Sequence, residues 1–224
     1  MVANVALPGL AQAATPDNEL GKAYEWAYSK GITTMDSFEK ANMYGNITRA
    51  EMSKMLSVYA KTFLGKTADT SKECKFSDID SVKGDLHDYI IESCQLGIIG
   101  QNITAFRPYD TLSRAEFGTA LSRALWGDKN NTGTPYYAAH LNALKEAGIM
   151  NQINNADSTK EIRGYVMIML QRASGEEDKD LCEMCLATGI GAEKCEAVCG
   201  SENNEEEDGK VKAGDLAVEA TANK

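Results

Sequence analysis

One pattern of apolar residues occurs three times along the chain, and this repetition restricts the possible folds more than any other feature of the sequence. Each copy begins with a segment that ends in Gly-Ile, at Gly31, Gly97 and Gly148. The residues 4, 7 and 11 positions before each glycine are apolar in eight of nine cases, and this spacing places them on one face of an α-helix. Because glycine commonly ends a helix in the left-handed conformation, each copy is predicted to open with a helix of about three turns.

A second helix is predicted in each copy, after a loop of 14 to 17 residues that follows the glycine. An arginine marks the start of this helix in every copy, at Arg49, Arg114 and Arg163. The residues 3, 6, 7 and 10 positions after each arginine can all pack in a core, which again matches helical spacing. The three helix-loop-helix repeats predicted in this way cover residues 17–64, 75–126 and 135–174.

Two of the second helices start with a capping box, in which a hydroxyl and a carboxylate satisfy backbone N–H groups at the helix start. These boxes are Thr48-x-x-Glu51 and Ser113-x-x-Glu116. The third repeat has no box at the matching position, and Ser158-x-x-Glu161 is the candidate for an earlier cap.

The arginine at the start of each second helix needs an explanation, because the partial positive charge of a helix start makes a cation unfavourable there. Two explanations remain open. The arginine forms a salt bridge to a carboxylate of a neighbouring repeat or to the capping glutamate, or it forms an anion site together with free backbone N–H groups. Both hold if an internal acid orients the guanidinium beside a bound carboxylate or phosphate.

The repeats resemble the S-layer homology (SLH) domain. That family has a Phe-x-Asp start, a first helix that ends in Gly-Ile, a loop with Phe and Pro, and an Ile-Thr-Arg-Ala-Glu box that opens a second helix. The second repeat matches best, with FSD at 76–78, GII at 97–99, FRP at 106–108 and LSRAE at 112–116. The first repeat has GI at 31–32, Phe38 and ITRAE at 47–51, and the third keeps GI at 148–149 and Arg163.

The resemblance implies a mainly α fold in which three tandem SLH repeats pack as a pseudo-threefold spindle. It also implies a non-enzymatic anchoring function at the cell surface. In that family, grooves between the repeats bind cell-wall polysaccharide or a peptidoglycan-linked glycan, often with anionic groups such as ketal pyruvate. The residues that this resemblance assigns to ligand binding are Arg49, Arg114, Arg163 and Asp78.

The tryptophan that the family usually has near the start of the first helix is missing from all three repeats. Glu19, Asp85 and Tyr136 stand at those places. An acid there would repel an anionic sugar, so we do not expect every groove to bind, and we expect the third groove to be the weakest.

Charge is distributed unevenly along the chain, which has a net charge of −10. Residues 175–224 hold 14 acids and 5 bases, whereas the rest of the chain has a net charge of −1. The last segment is therefore predicted to be an acidic, solvated and partly disordered tail. Since the sequence has no basic stripe and its loops are too long for a helix-turn-helix, nucleic acid is not expected as a partner.

Six cysteines, an even number, favour disulfides in an exported chain. Cys74 and Cys94 are predicted to form a bridge within the second repeat. The other four are expected to form two bridges in the tail, with a metal site such as zinc as the alternative. They are Cys182, Cys185, Cys195 and Cys199. A bridged tail either serves only as a stabilised end of the chain or contacts another surface protein.

Residues 1–14 contain a short apolar run that ends in Ala11-Gln12-Ala13, a small-residue pattern typical of signal-peptide cleavage sites. No positively charged segment precedes this run. We interpret it as the remnant of a signal peptide and expect a secreted, extracellular protein at the surface of the cell envelope. No stretch reaches about 18 consecutive apolar residues, so no transmembrane segment is expected.

An envelope glycan-processing enzyme is the alternative function, because paired carboxylates can hydrolyse glycosidic bonds. The sequence singles out no such pair, and His87 and His140 are interpreted as surface or boundary residues of first helices. It contains no Gly-x-Ser-x-Gly, no His-Glu-x-x-His and no phosphate-binding loop. We therefore expect a protein without enzymatic activity and without a cofactor.

Overall fold

The structure, a computed structural model, describes residues 15–100 and 103–176 and is mainly α-helical, as the repeats predict. The helices of this part of the chain are α1 (Glu19–Ser29), α2 (Arg49–Leu64), α3 (Leu86–Gln95), α4 (Arg114–Trp126), α5 (Ala138–Glu146) and α6 (Arg163–Ser174). A short 3₁₀-helix, Gly127–Asn130, follows α4. Each repeat supplies two consecutive helices, one on either side of its long loop. The predicted signal-peptide remnant and the four tail cysteines lie outside the described residues.

The predicted helix boundaries are found at the expected residues in the first two repeats. Gly31 and Gly97 have φ angles of 70° and 76°, in the left-handed region that ends a helix. Both capping boxes are formed. The hydroxyl of Thr48 or Ser113 accepts the N–H of the third helical residue, whose carboxylate in turn accepts the N–H of the capping residue.

The start of α6 differs from those of α2 and α4. Its N-cap residue, Ile162, has no side-chain oxygen to offer. The hydroxyl of Ser158 donates to the carbonyl of Asn155, and the carboxylate of Glu161 binds Arg114. The predicted cap at Ser158-x-x-Glu161 is therefore wrong, because both of its polar side chains have other partners.

The helices pack mainly between repeats. α2 lies against α3, α4 against α5, and α6 against α1, so that the third repeat returns to the first. Lys54 of α2 forms a 2.6 Å salt bridge with Asp85 at the start of α3, and Arg172 of α6 pairs with Glu19 of α1. Since each second helix buries its apolar face against the first helix of the next repeat, no repeat completes its own core.

Three backbone hydrogen bonds form a closed ring where the repeats meet. Ile47 donates to the carbonyl of Glu161 at 3.2 Å, Glu161 donates to Leu112 at 3.1 Å, and Leu112 donates to Ile47 at 3.4 Å. These residues occupy the same place in the three repeats, two positions before the arginine. Each pair of repeats is also joined there by an isolated antiparallel bridge. The three loops therefore hold one another at the centre of the fold.

The buried apolar side chains form one continuous cluster with members from all three repeats. The predicted core positions three residues after each arginine, Met52, Phe117 and Val166, are all fully buried. Burial of apolar surface contributes about 25 cal/mol per Å² removed from water, so this shared core is what holds the repeats together as one unit.

The predicted disulfide between Cys74 and Cys94 is confirmed, with Cα atoms 6.1 Å apart and a sequence separation of 20 residues. It joins the segment between α2 and α3 to the last turn of α3. Close by, Lys72 donates to the carbonyl of Cys94 at 3.0 Å, and the backbone N–H of Asp69 donates to Gln95 at 3.3 Å. The bridge therefore fastens the connection between the first two repeats to α3.

We expect the loss of this bridge to lower the free energy of unfolding by about 3 kcal/mol, the chain-entropy value for a closed loop of this size. The variant Cys74→Ser/Cys94→Ser and the wild type are compared by guanidinium denaturation, with the bridge of the wild type mapped by mass spectrometry under non-reducing conditions. Equal stability of the two proteins would contradict the expectation.

His140 of α5 is 1% exposed and thus lies in the core, not at the boundary that the sequence suggests. Its Nδ1 lies 2.9 Å from the hydroxyl oxygen of Ser122, which also accepts a hydrogen bond from Asn130. Its Nε2 has no hydrogen-bond partner among the described residues. Because burial disfavours the charged imidazolium and Arg123 adds repulsion, the pKa of His140 is lowered to about 4, with Asp128 opposing the shift.

The stability of the protein should therefore depend on pH between about 6.5 and 4. In this range the unfolded chain binds a proton at His140 and the folded chain does not, so the free energy of unfolding falls as the pH falls. Thermal unfolding of the wild type and of His140→Gln at a series of pH values measures the effect. The wild type should lose more stability on acidification than the variant, and parallel curves would disprove the role of His140.

Candidate functional site

Each of the three arginines is the first residue of its helix, and its side chain reaches the next repeat in a cyclic order. The closest atom pairs are Arg49 Nη1–Glu116 Oε1 at 2.9 Å, Arg114 Nε–Glu161 Oε2 at 2.9 Å and Arg163 Nη2–Glu51 Oε1 at 2.5 Å. In two of the three pairs the carboxylate is also the capping glutamate of the next repeat. The salt bridge to a neighbouring repeat, one of the two explanations for the arginines, is thus present in all three repeats.

The backbone N–H groups at these helix starts are not free. The N–H groups of Arg49 and Ala50 donate to the carbonyls of Asp110 and Pro108 in the loop of the second repeat, at 3.0 and 2.9 Å. The starts of α4 and α6 make the same pairs of bonds to loops of the third and first repeats. The free N–H groups of the second explanation are therefore absent at these places, because the neighbouring loop occupies them. Binding of an anion by the arginine side chains stays a prediction.

Loop carbonyls also explain why a cation is tolerated at the positive end of each helix. The guanidinium of Arg49 donates from Nε to the carbonyl of Phe106 at 2.7 Å, and its carbon lies 5.2 Å from the ring centroid of that residue. The carboxylate of Glu116 adds a full negative charge at the same place. Burial lowers the pKa of Arg49, and the charge of Glu116 opposes that shift. The unfavourable contact with the helix dipole is thus offset by the next repeat.

Asp78, predicted to bind ligand, holds a loop of its own repeat. Its two carboxylate oxygens accept the backbone N–H groups of Phe106 and Arg107, both at 2.7 Å. Burial works against ionisation of Asp78, but these two hydrogen bonds favour the charged form, and its pKa is lowered. Arg107 has a φ angle of 57°, a left-handed conformation that costs energy for a long side chain, and the Asp78 carboxylate holds it in place. A direct contact of Asp78 with ligand stays a prediction.

The third repeat supplies its carboxylate from a different position. Glu161 stands two residues before Arg163, where the first two repeats have Ile47 and Leu112. It is fully buried and binds Arg114 with both oxygens, at 2.9 and 3.3 Å. A glutamate at a position that is apolar in the other repeats is a signal that could have identified this partner of Arg114 from the sequence.

The residue at the capping-glutamate position of the third repeat is Tyr165, whose side chain is 45% exposed. It lines a groove of about 380 Å³ together with Arg114, with Arg172 of α6, with Glu19 of α1 and with residues 149–152. We call this the Arg114 groove. The guanidinium carbon of Arg114 lies 5.9 Å from the ring centroid of Tyr165. Arg172 is paired with Glu19 and donates to the carbonyl of Ile149 at 3.4 Å.

The other two arginines have a glutamate beside them where Arg114 has Tyr165. Beside Arg49, Glu116 Oε1 also accepts a hydrogen bond from Arg107 Nη2 at 3.2 Å, and the exposed Tyr136 lies near Arg49 and Glu116. Beside Arg163, the side chain of Glu51 is 35% exposed. Chemically, all three sites offer guanidinium donors, and those of Arg49 and Arg114 also have a nearby tyrosine, Tyr136 and Tyr165, groups that bind polar ligands.

The acids at the family's tryptophan positions do not stand alone. Glu19 is paired with Arg172, and Asp85 is paired with Lys54 at 2.6 Å. In both cases the cation comes from a second helix that packs against the acid, a pairing between repeats that sequence spacing does not reveal. These ion pairs reduce the repulsion of an anionic sugar that we expect from the sequence alone.

Comparison with known proteins adds no relative to this picture: no protein-family model matches the chain, and no curated protein is significantly similar to it. Within residues 15–100 and 103–176, no helix is both long and apolar enough to cross a membrane. The same residues contain no group of three or more His, Cys, Asp and Glu side chains arranged to hold a metal ion.

Removal of the Arg114 side chain should destabilise the protein by about 3–5 kcal/mol, because it leaves Glu161 buried without a partner. Arg163→Ala should cost about 1 kcal/mol or less, because its partner Glu51 can be hydrated after the loss. Urea denaturation of the two variants measures the difference. As a control, Arg114→Met/Glu161→Leu replaces the pair by apolar groups and should recover most of the loss. Equal effects of Arg114→Ala and Arg163→Ala would contradict this account.

Proposed function

We propose that this chain is a non-enzymatic cell-surface protein with three SLH repeats, which anchors itself by binding an envelope glycan in grooves between the repeats. The motifs of the first two repeats support the family. The cyclic packing of α1 to α6 supports the pseudo-threefold spindle that the family implies. The ligand is a secondary cell-wall polysaccharide or another envelope glycan with anionic groups.

The Arg114 groove is the observation that carries this proposal. It combines a guanidinium, a half-exposed tyrosine ring and polar loop atoms in a volume of about 380 Å³. Sugar hydroxyls and carboxylates accept hydrogen bonds from guanidinium groups, and the apolar faces of sugar rings pack against aromatic rings. Arg49 and Arg163 line the corresponding places between the other repeats and are proposed to contribute to weaker sites.

An extracellular location agrees with the Cys74–Cys94 disulfide, because such bonds persist in oxidising compartments. The acidic tail is proposed to contact another surface protein. Its cysteines lie outside the described residues, so this part of the proposal is supported by composition alone.

Sedimentation of the purified protein with isolated cell-envelope fragments tests the proposal. The protein should bind native fragments, soluble wall polysaccharide should compete, and chemical removal of ketal or acidic groups should weaken binding about tenfold. Arg114→Lys keeps a cation beside Glu161 but loses the planar fork that grips a carboxylate, so it should bind several-fold more weakly.

Lys129→Ala, on the 3₁₀-helix and outside the Arg114 groove, is the matched control and should bind like the wild type. Circular dichroism of each variant separates loss of binding from loss of fold. A folded protein that binds no envelope fraction, or one that cleaves the glycan, would refute the proposed function.

A further inference from the structure

Besides the position of Glu161, the three arginine sites differ at the third residue of the second helix. This residue is Glu51 in α2, Glu116 in α4 and Tyr165 in α6. We infer that Tyr165 is the specificity-determining residue of this chain, and that it makes the Arg114 groove the one site that selects a sugar carrying a carboxylate. The inference rests on the proposed glycan binding and adds which groove accepts the charge, and why.

In the first two repeats the glutamate exposes negative charge where a ligand would approach the arginine. The side chain of Glu116 is 24% exposed beside Arg49, and that of Glu51 is 35% exposed beside Arg163. Each glutamate also accepts the N–H of the capping residue of its own helix, which fixes its position. A ligand carboxylate at either arginine would therefore meet a fixed like charge, which disfavours its binding.

In the third repeat the carboxylate that pairs with the arginine comes from Glu161, a position outside the groove. Glu161 is fully buried in the ring at which the three repeats meet, and its backbone is part of that ring. It binds the Nε and Nη2 side of Arg114, while Nη1 donates to the carbonyl of Gln152 at 3.2 Å. A guanidinium has five N–H donors, and these three bonds leave two for a ligand. Arg114 is thus oriented by a buried carboxylate that has no surface in the groove where a ligand would bind.

The acid that a ligand does meet in this groove is Glu19, and its effect is limited. Its side chain is 58% exposed and paired with Arg172. An exposed carboxylate is rehydrated at little cost when its partner turns to another anion. A ligand carboxylate can therefore bind between Arg114 and Arg172, while the sugar ring packs on the exposed face of Tyr165. Arg49 also has a second cation and a tyrosine nearby, Arg107 and Tyr136. At that site, however, Glu116 pairs with both arginines and keeps a partly exposed negative charge at the position that Tyr165 occupies beside Arg114.

The experiment follows NMR spectra of the full chain during titration with sodium D-glucuronate and, separately, with the neutral probe methyl β-D-glucoside, at low ionic strength. Glucuronate should bind at one site, at least tenfold more tightly than the glucoside. Tyr165→Glu, which copies the other two repeats, should weaken glucuronate binding at least tenfold, and Tyr165→Phe should keep it within about threefold. The glutamate variant should be at least as stable as the wild type, because an acid in the first helical turn is favourable.

Tyr28→Glu is the matched control, since Tyr28 is 47% exposed on α1 and lies nine residues, or about 13 Å along the helix, beyond Glu19. It should leave glucuronate binding unchanged. The inference is overturned if glucuronate does not bind, if Tyr165→Glu binds it like the wild type, or if Tyr28→Glu weakens binding as much. Binding of glucuronate that depends on Tyr165 supports the inference even if the protein binds no envelope fraction, a result that would refute only the proposed function.

Discussion

The fold depends on hydrogen bonds that cross from one repeat to the next at the starts of α2, α4 and α6. A helix start has backbone N–H groups without partners in the helix. In this protein the first two of these groups donate to loop carbonyls of the next repeat. The arginine side chain forms a salt bridge with a carboxylate of that same repeat. The first repeat uses the second, the second uses the third, and the third uses the first, so the set is complete only when all three are present.

This cyclic exchange explains why each repeat can keep a cation where a helix alone would disfavour it. The carbonyl oxygens and the carboxylate reach the helix start from outside, and their negative charge offsets both the dipole and the arginine. It also explains why Arg114 has a carboxylate partner although the third repeat lacks the capping glutamate that pairs with the arginine in the other two cases. Glu161 supplies the carboxylate that Arg114 needs from within the central ring, which frees the groove position for Tyr165.

The proposed function follows from the same asymmetry. Three identical repeats would create three identical grooves, each with an exposed glutamate beside its arginine. The displacement of one carboxylate makes the Arg114 groove different in charge and in aromatic surface, although the backbone hydrogen bonds around it remain the same. A change in sequence at two positions thus gives the Arg114 groove a combination of charge and aromatic surface that the two equivalent places lack, and our proposal of a carboxylate-selective site rests on this difference.

The sequence by itself determined the elements of this fold that depend on near neighbours. Apolar spacing predicted the helices, Gly31 and Gly97 predicted helix ends, the two boxes predicted helix starts, and Cys74 with Cys94 predicted a local bridge. These signals act within a few turns of chain, and they were confirmed.

The partners of the arginines were decided only by the tertiary structure. They lie 67, 47 and 112 residues away along the chain, and Asp78 lies 28 residues from the Phe106 amide that it holds. Their identity depends on which helix packs against which. That choice is made by the burial of apolar faces between repeats and by the closure of the central ring. The sequence shows the apolar faces and the unusual Glu161, but it does not show which face packs against which.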